Sequence, residues 1–337
     1  MNSIPLSVLD LVPMQSGIDS AGAIAESVAL AQAAESLGYV RYWFAEHHNS
    51  RALATAAPEV MIQHVAAKTS TIRVGSGGVM LPNHAPLKIA EVFKLLNALY
   101  PDRIDLGLGR APGTDQRTAL ALRRTPEAMQ ADDYPERLME LLGYGEEVPG
   151  EPGAPPAIVA IPVGVALPPV YLLGSSGFSA HLAAQAGLGF SFASHINHPA
   201  AVPALRTYRE RFQPSTWYAR PRAILACSVV IGETMEHAVQ LLKVVEIATY
   251  QLITGQQRPL PTLEEALANP LGDVQRLQIS QFMANTFVGD APTVATAIHA
   301  MTHEAEADEV MVMVRVPDHE DRLRTLRDLA TEWRGLA

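Results

Sequence analysis

The sequence predicts an α/β fold, a closed (β/α)8 TIM barrel, on three observations. Short runs of β-branched and aromatic residues alternate with longer segments of helical period along almost the whole chain. Eight such strand–helix units fit within 337 residues, a length common for one barrel with insertions. The first strand-to-helix turn, VPMQSGIDS, carries no glycine-rich dinucleotide fingerprint, which argues against the other parallel architecture, a doubly wound open sheet. One domain over 1–337 is expected, with irregular insertions at about 112–168, holding a short acidic helix within 112–143, and 253–290, after the fourth and seventh strands.

The first strand is expected at IPLSVLDLV (4–12). An Ala-rich helix over 20–38 follows, opened by a Ser cap and stopped by Gly38. VRYWFA (40–45) is the second strand, and TAAPEVMIQHVAAKT (55–69) a helix with Pro58 in its first turn, where a missing N–H costs little. TIRVGSGGVML (71–81) reads as a strand broken by glycines, APLKIAEVFKLLNALY (85–100) as a helix and RIDLGLG (103–109) as the fourth strand. PVYLLG (169–174), GFSFAS (189–194) and AILACSVVI (223–231) are strands five to seven, separated by helices at 179–187 and about 200–212. A helix runs from Thr234 to about Leu252. Helix 295–305, strand DEVMVMV (308–314) and helix 320–333 close the pattern. The Pro- and Gly-rich stretch 144–168 is expected to be an irregular excursion, a small hairpin being one form.

Composition narrows the function. The chain is 48% hydrophobic and 18% charged, enough to fill a large core. Lys and Arg total 25 against 35 Asp and Glu, a net charge of −10 with no basic stripe, so nucleic acid is not an expected partner. A single cysteine, Cys227, excludes an internal disulfide and a Cys-cluster metal site, and fits a reducing compartment. The start, MNSIPLSVLDLVPM, lacks the basic and apolar regions of a signal peptide, and no apolar run approaches the ~20 residues of a membrane span. A cytoplasmic protein without membrane association is expected.

Active sites of parallel barrels lie at the C-terminal ends of the strands. There this chain places Pro13, Met14 and Gln15, then Glu46, His47, His48 and Asn49, then Gly77 and Gly78, Gly109 and Arg110, Gly174, Ser175 and Ser176, and Ser194 and His195. Turn residues are expected at any strand end; His, Arg and Glu recurring at one edge are not. In LLGSSGFSAHLAAQAG (172–187) a strand runs into a helix whose free N–H groups and serine hydroxyls suit an anion, although an ordinary helix cap reads the same. Arg110, ending the neighbouring strand, brings a fork of donors that matches a phosphate. The glycine pair in GSGGVML marks either a bulge or the close approach of a flat ring. Adjacent His47 and His48 face opposite ways in a continuing strand and lack a third ligand, so no metal is expected. One of the two suits proton transfer near neutral pH; the other, like Glu46, reads as structural. Cys227, mid-strand, reads as core filling, and no G-x-S-x-G elbow supports a hydrolase.

Three stretches in this order, YWFAEHHN, VGSGGVMLPNHAPLKIAEVFKLLNALYPDRIDLGLGRAPG and LLGSSGFSAHLAAQAG, resemble the luciferase-like flavin monooxygenases. The likeness covers about 4–230 closely and the last units more loosely. It implies a (β/α)8 barrel with reduced FMN, or the deazaflavin F420, at the C-terminal face. By this resemblance His47 matches the catalytic histidine of the EHH motif and Glu46 the carboxylate beside it. Gly77 and Gly78 match the site of a non-prolyl cis peptide under the flavin ring. Arg110, Ser175, Ser176 and Ser179, with Gly174, match the phosphate-binding positions. Gly109 stands where the luciferase pattern has a cysteine, which implies more room near the flavin and argues against light emission as the natural activity. Segment 253–290 corresponds to a mobile lid. The implied reaction is oxidation of a small organic substrate by a flavin C4a-hydroperoxide formed with O2, His47 serving as acid and base. A separate flavin reductase and a homodimer are implied as partners. The alternatives are an F420-dependent hydride transfer without oxygen and a non-catalytic flavin-binding protein.

Overall fold

The computed structural model of the chain describes residues 4–145, 158–256 and 258–336. Its strands are β1 (Leu6–Asp10), β2 (Arg41–Phe44), β3 (Arg73–Ser76), β4 (Val79–Met80), β5 (Ile104–Gly109), β6 (Val170–Gly174), β7 (Gly189–Ala193), β8 (Ala223–Ile231), β9 (Thr286–Gly289) and β10 (Glu309–Val314). Their pairings among the described residues are all parallel, in the order β1-β2-β3-β5-β6-β7-β8-β10, and β10 pairs again with β1. Eight strands therefore close into a barrel, as the strand–helix alternation predicts. The glycine-broken third strand is two: β4 resumes after Gly77–Gly78 and pairs with β5.

Three expectations change. The first helix, Ser20–Leu37, is capped by Asp19 and not by Ser20, because Asp19 has the extended backbone and its carboxylate accepts the Gly22 N–H at 2.8 Å. Gly38 ends it in the left-handed region, at φ 89°, as expected. Segment 253–290 is not irregular: it holds helices Leu263–Ala268 and Asp273–Met283, and β9, which lies beside the last four residues of β8 where β7 stops. The 112–143 insertion, expected to hold one short acidic helix, has three: Gln116–Arg123, Pro126–Gln130 and Tyr134–Gly143. The hairpin considered for 144–168 falls largely on 146–157, outside the described residues; 158–168 form no strand.

Strand alternation divides the core in two. One set of side chains, including Val8, Tyr42, Phe44, Val74, Leu106, Leu172, Phe190, Leu225, Cys227 and Val312, packs outward against the helices. The other set fills the barrel: Leu9, Trp43, Ala45, Tyr171, Ile224, Ala226 and Met311, with Leu11, Leu173 and Met313 against them. The inward positions begin, at the N-terminal end, with charge. Arg41 pairs with Asp105 at 2.7 Å and Glu309 at 2.9 Å, and Arg73 with Asp105 at 2.6 Å. Ser7 donates to Glu309, and Trp43 Nε1 to Asp105 at 3.1 Å. Burial alone would raise the Asp105 carboxyl, but the two guanidinium groups overcome it and hold its pKa below the usual range.

Candidate active site

At the opposite end, the ladder of β2 runs on past Phe44. Ala45 N–H reaches the Asp10 carbonyl and Glu46 N–H the Gly78 carbonyl. The parity that turns Trp43 and Ala45 inward continues to His47, while Glu46 turns towards the neighbouring strand. The buried Glu46 carboxylate is a junction. Oε1 meets His48 Nε2 at 2.8 Å and His84 Nε2 at 3.0 Å; Oε2 accepts the Met80 N–H at 2.9 Å. Asn83 Nδ2 donates to Oε1 at 3.3 Å. Burial pushes the Glu46 pKa up, but the His84 hydrogen bond and charge, the His48 bond and the Met80 N–H prevail and lower it. His84 shows the converse: burial works against its charged form, and Glu46 raises its pKa nonetheless.

His47 differs from both neighbours. Its Nδ1 is buried and has no hydrogen-bond partner. Burial pushes its pKa down, the charge of Glu46 opposing and that of His48 adding to the fall. His195, on the interior parity of β7, is pushed down to about 4, by burial first, against its bond to the Ala226 carbonyl and helped by the charges of Arg315 and His47. Both imidazoles are thus neutral at neutral pH and able to accept a proton.

Gly77 and Gly78 are joined by a cis peptide bond. A Cβ on Gly78 would lie 2.7 Å from the Gly107 carbonyl oxygen, and one on Gly77 2.6 Å from Leu9 Cδ1. Both glycines are buried, and neither position has space for a side chain. Gly109 departs from expectation. A Cβ there would meet Met80 Sδ at 2.7 Å, so the space that the missing side chain frees is already taken by Met80.

A second corner lies at the ends of β5 and β6. Helix Gly177–Gln185 begins after Ser176, which has an extended backbone and a side chain making no cap bond. Gly174 is required because a Cβ would come within 2.4 Å of Ser179 Cβ, and Ser179 is buried under the strand end. Ser175 uses its carbonyl to accept from Asn197 Nδ2 at 3.0 Å. Arg110 is exposed and lies with Cζ 4.3 Å over the Phe178 ring, which brings the guanidinium to the start of this helix. The structure thus brings His47, Glu46, Gly77, Gly78 and Gly109 together around β2 to β5, and Arg110, Gly174, Ser175, Ser176 and Ser179 at the adjoining corner.

Sequence reasoning missed Asn83 and His84, whose link to Glu46 spans 37 and 38 positions. It noted His195 without giving it a role. Arg315, just past the end of β10, belongs to no local motif; counting inward positions 309, 311 and 313 onward to 315 is the signal that finds it.

A sequence model of the family described as luciferase-like monooxygenase matches residues 4–309. A luciferase-like monooxygenase of Escherichia coli (strain K12) is 40% identical over 323 residues, 96% of this chain and 95% of that protein. An N-acetyl-S-alkylcysteine monooxygenase of Bacillus subtilis (strain 168) is 38% identical over 237 residues, 70% of each chain. Among solved structures, apo-MsnO8 superposes with a TM-score of 0.89 at 36% identity over 98% of both chains. Two distant structures share the fold. One is the oxygenating constituent of 3,6-diketocamphane monooxygenase of Pseudomonas putida with FMN, TM-score 0.69 at 16% identity over 98% of both chains. The other is an F420-dependent secondary alcohol dehydrogenase, TM-score 0.64 at 14% identity over 99% of this chain and 100% of that one.

Proposed function

The chain belongs to the luciferase-like monooxygenase family, and from that premise we propose that it uses reduced FMN and O2 to oxidise a small organic substrate. The residues present fit such a cofactor. The side-chain-free backbone at Gly77–Gly78 suits the edge of a flat ring, His47 Nδ1 on the neighbouring strand end is a buried polar atom without a partner, and Arg110 stands at a helix start. When bound, reduced FMN would supply the electrons that activate O2.

The chain's own groups divide the remaining work. Arg110 and the N–H groups and hydroxyls at Ser175 and Ser176 hold the phosphate. Met80 and the glycine pair support the ring. His47, neutral and unpartnered, takes up and returns a proton near the reacting atoms. Glu46 positions: both its oxygens are engaged, and they fix His48, His84 and the start of β4 relative to Gly78. The insertion after β8 excludes water. It is fastened to the loop after β1 by Leu260 N–H to the Met14 carbonyl at 2.7 Å and Ser16 N–H to the Leu260 carbonyl at 2.8 Å.

The observation that carries the reading is the pairing of two corners on adjacent strands, a cation stacked at a helix start and a bare backbone surface next to a neutral imidazole. A thioether is a fitting oxidisable group, given the N-acetyl-S-alkylcysteine monooxygenase among the relatives. A separate cytoplasmic reductase delivering the flavin completes the scheme. Homodimerisation through the helices flanking β3 and β5 is consistent with exposed Val60, Leu95 and Leu99. Among the described residues no helix is long and apolar enough to cross a membrane. The test supplies reduced FMN or reduced F420 in turn and follows O2 uptake with the absorbance of each cofactor. Oxygen appearing in an added thioether, dependent on the protein and on reduced FMN beyond the flavin's own autoxidation and lowered by His47→Ala, supports the proposal. Oxidation of F420 without O2 uptake would replace it by hydride transfer.

A further inference from the structure

Arg315 follows the last residue of β10, and its N–H still bonds the Val229 carbonyl of β8, so the strand geometry holds through it. The inward positions of β10 are Glu309, Met311 and Met313, the last two packing in the barrel interior. Parity therefore turns Arg315 into the mouth. There its Nη2 donates to Thr249 Oγ1 at 3.0 Å, and Thr249 is itself buried in helix Met235–Ile253. Among the described residues, Arg315 has no ion pair. The interior arginines at the other end, Arg41 and Arg73, both have one. The environment confirms how little offsets this charge: burial alone lowers the Arg315 pKa to about 10, no anion opposing it.

The ring order locates it relative to the cofactor corner. In β1-β2-β3-β5-β6-β7-β8-β10, the strand of Arg110 and the strand of Arg315 stand four places apart, as do those of His47 and His195. Arg110 follows the outward positions Leu106 and Leu108 and lies over Phe178 at the phosphate corner, whereas Arg315 is on the inward parity and faces the space left for substrate.

We infer that Arg315, steadied by Thr249, is a subsite for a carboxylate, so that the substrate is a small organic acid held with its oxidisable part between His47 and His195. This rests on the proposed oxygenase reading for what happens to the substrate, but not for its binding. A guanidinium largely withdrawn from water favours a planar anion that fills its remaining donors in pairs. His47 and His195, both shifted towards the neutral form, offer that anion no competing cation.

The test compares acids with their own amides: hexanoate, benzoate and N-acetyl-S-butylcysteine, each against the matching carboxamide, titrated calorimetrically into flavin-free protein. Wild type is expected to bind at least one acid about tenfold or more tightly than its amide. Arg315→Met removes the preference, Arg315→Lys restores part of it, and neither changes reduced-FMN affinity. Arg315→Met is also expected not to lower the unfolding temperature, since it removes a buried, uncompensated charge. Equal or no binding of acid and amide across all three pairs overturns the subsite, as does a preference that survives in Arg315→Met. A loss of reduced-FMN affinity in Arg315→Met would also overturn it, assigning the residue to the cofactor. Failure of wild type to bind reduced FMN would count against the oxygenase reading alone.

Discussion

The two ends of this barrel carry similar residues and treat them in opposite ways. At the N-terminal end Arg41 and Arg73 are matched by Asp105 and Glu309, with Ser7 and Trp43 satisfying leftover acceptors. At the C-terminal mouth, among the described residues, Arg110 has a ring beneath it and Arg315 a hydroxyl beside it, neither has a carboxylate, and His47 Nδ1 has no partner. Charges that cancel within the chain serve the fold. Charges that remain open have no complement among the described residues.

The largest effect that would sharpen this contrast is expected at the closed end. Asp105→Ala leaves Arg73 without its carboxylate and Arg41 with Glu309 alone, and should cost about 3–5 kcal/mol in unfolding free energy by chemical denaturation. The folded pKa of Asp105 is depressed, so its contribution is full at neutral pH. It is lost as pH falls from the ordinary carboxylate value near ~3.9 towards the folded one. A loss below about 1 kcal/mol would place the stability elsewhere.

Next comes the surface at the mouth. Gly78→Ala drives a Cβ to 2.7 Å from the Gly107 carbonyl oxygen, a backbone atom that cannot swing away. A stability loss of about 1–3 kcal/mol is expected, together with loss of flavin binding. Unchanged flavin affinity would show that the ring does not lie there.

The barrel itself was legible because its strands are buried on both faces and read as short continuous runs such as AILACSVVI. The glycine pair and the EHH stretch were legible as local motifs. Glu46 as a junction was not, since its partners Met80, Asn83 and His84 come from another strand end that only the register brings near. The helix Leu263–Ala268 was hidden behind RPLPT although its start carried a signal. Thr262 and Glu265 form a capping box, with bonds of 3.1 and 2.9 Å. β9 spans only TFVG, and no alternation is visible in four residues paired along one edge.

Glu46→Gln gives a smaller effect, about 1–2 kcal/mol, that depends on pH. The folded pKa of His84 is raised, so its contribution is complete below the unfolded value and lost as pH rises through the folded one. The difference between variant and wild type in denaturant unfolding should therefore be larger at pH 6 than at pH 9; an equal difference would mean that His84 carries no charge in the pair. Smallest is Gly109→Ala. Its new Cβ meets the flexible end of Met80, so about 1 kcal/mol or less is expected by thermal unfolding. A much larger loss would show that Met80 cannot move aside.

The central claim, that open charges at the mouth await a ligand, is tested most directly by anaerobic calorimetric titration of wild type and Arg110→Ala with reduced FMN. Tight binding to wild type is expected, weakened about tenfold or more in the variant, with both unfolding at the same temperature. Equal affinity in the two proteins, or an unfolding temperature that falls with the loss of Arg110, would contradict it.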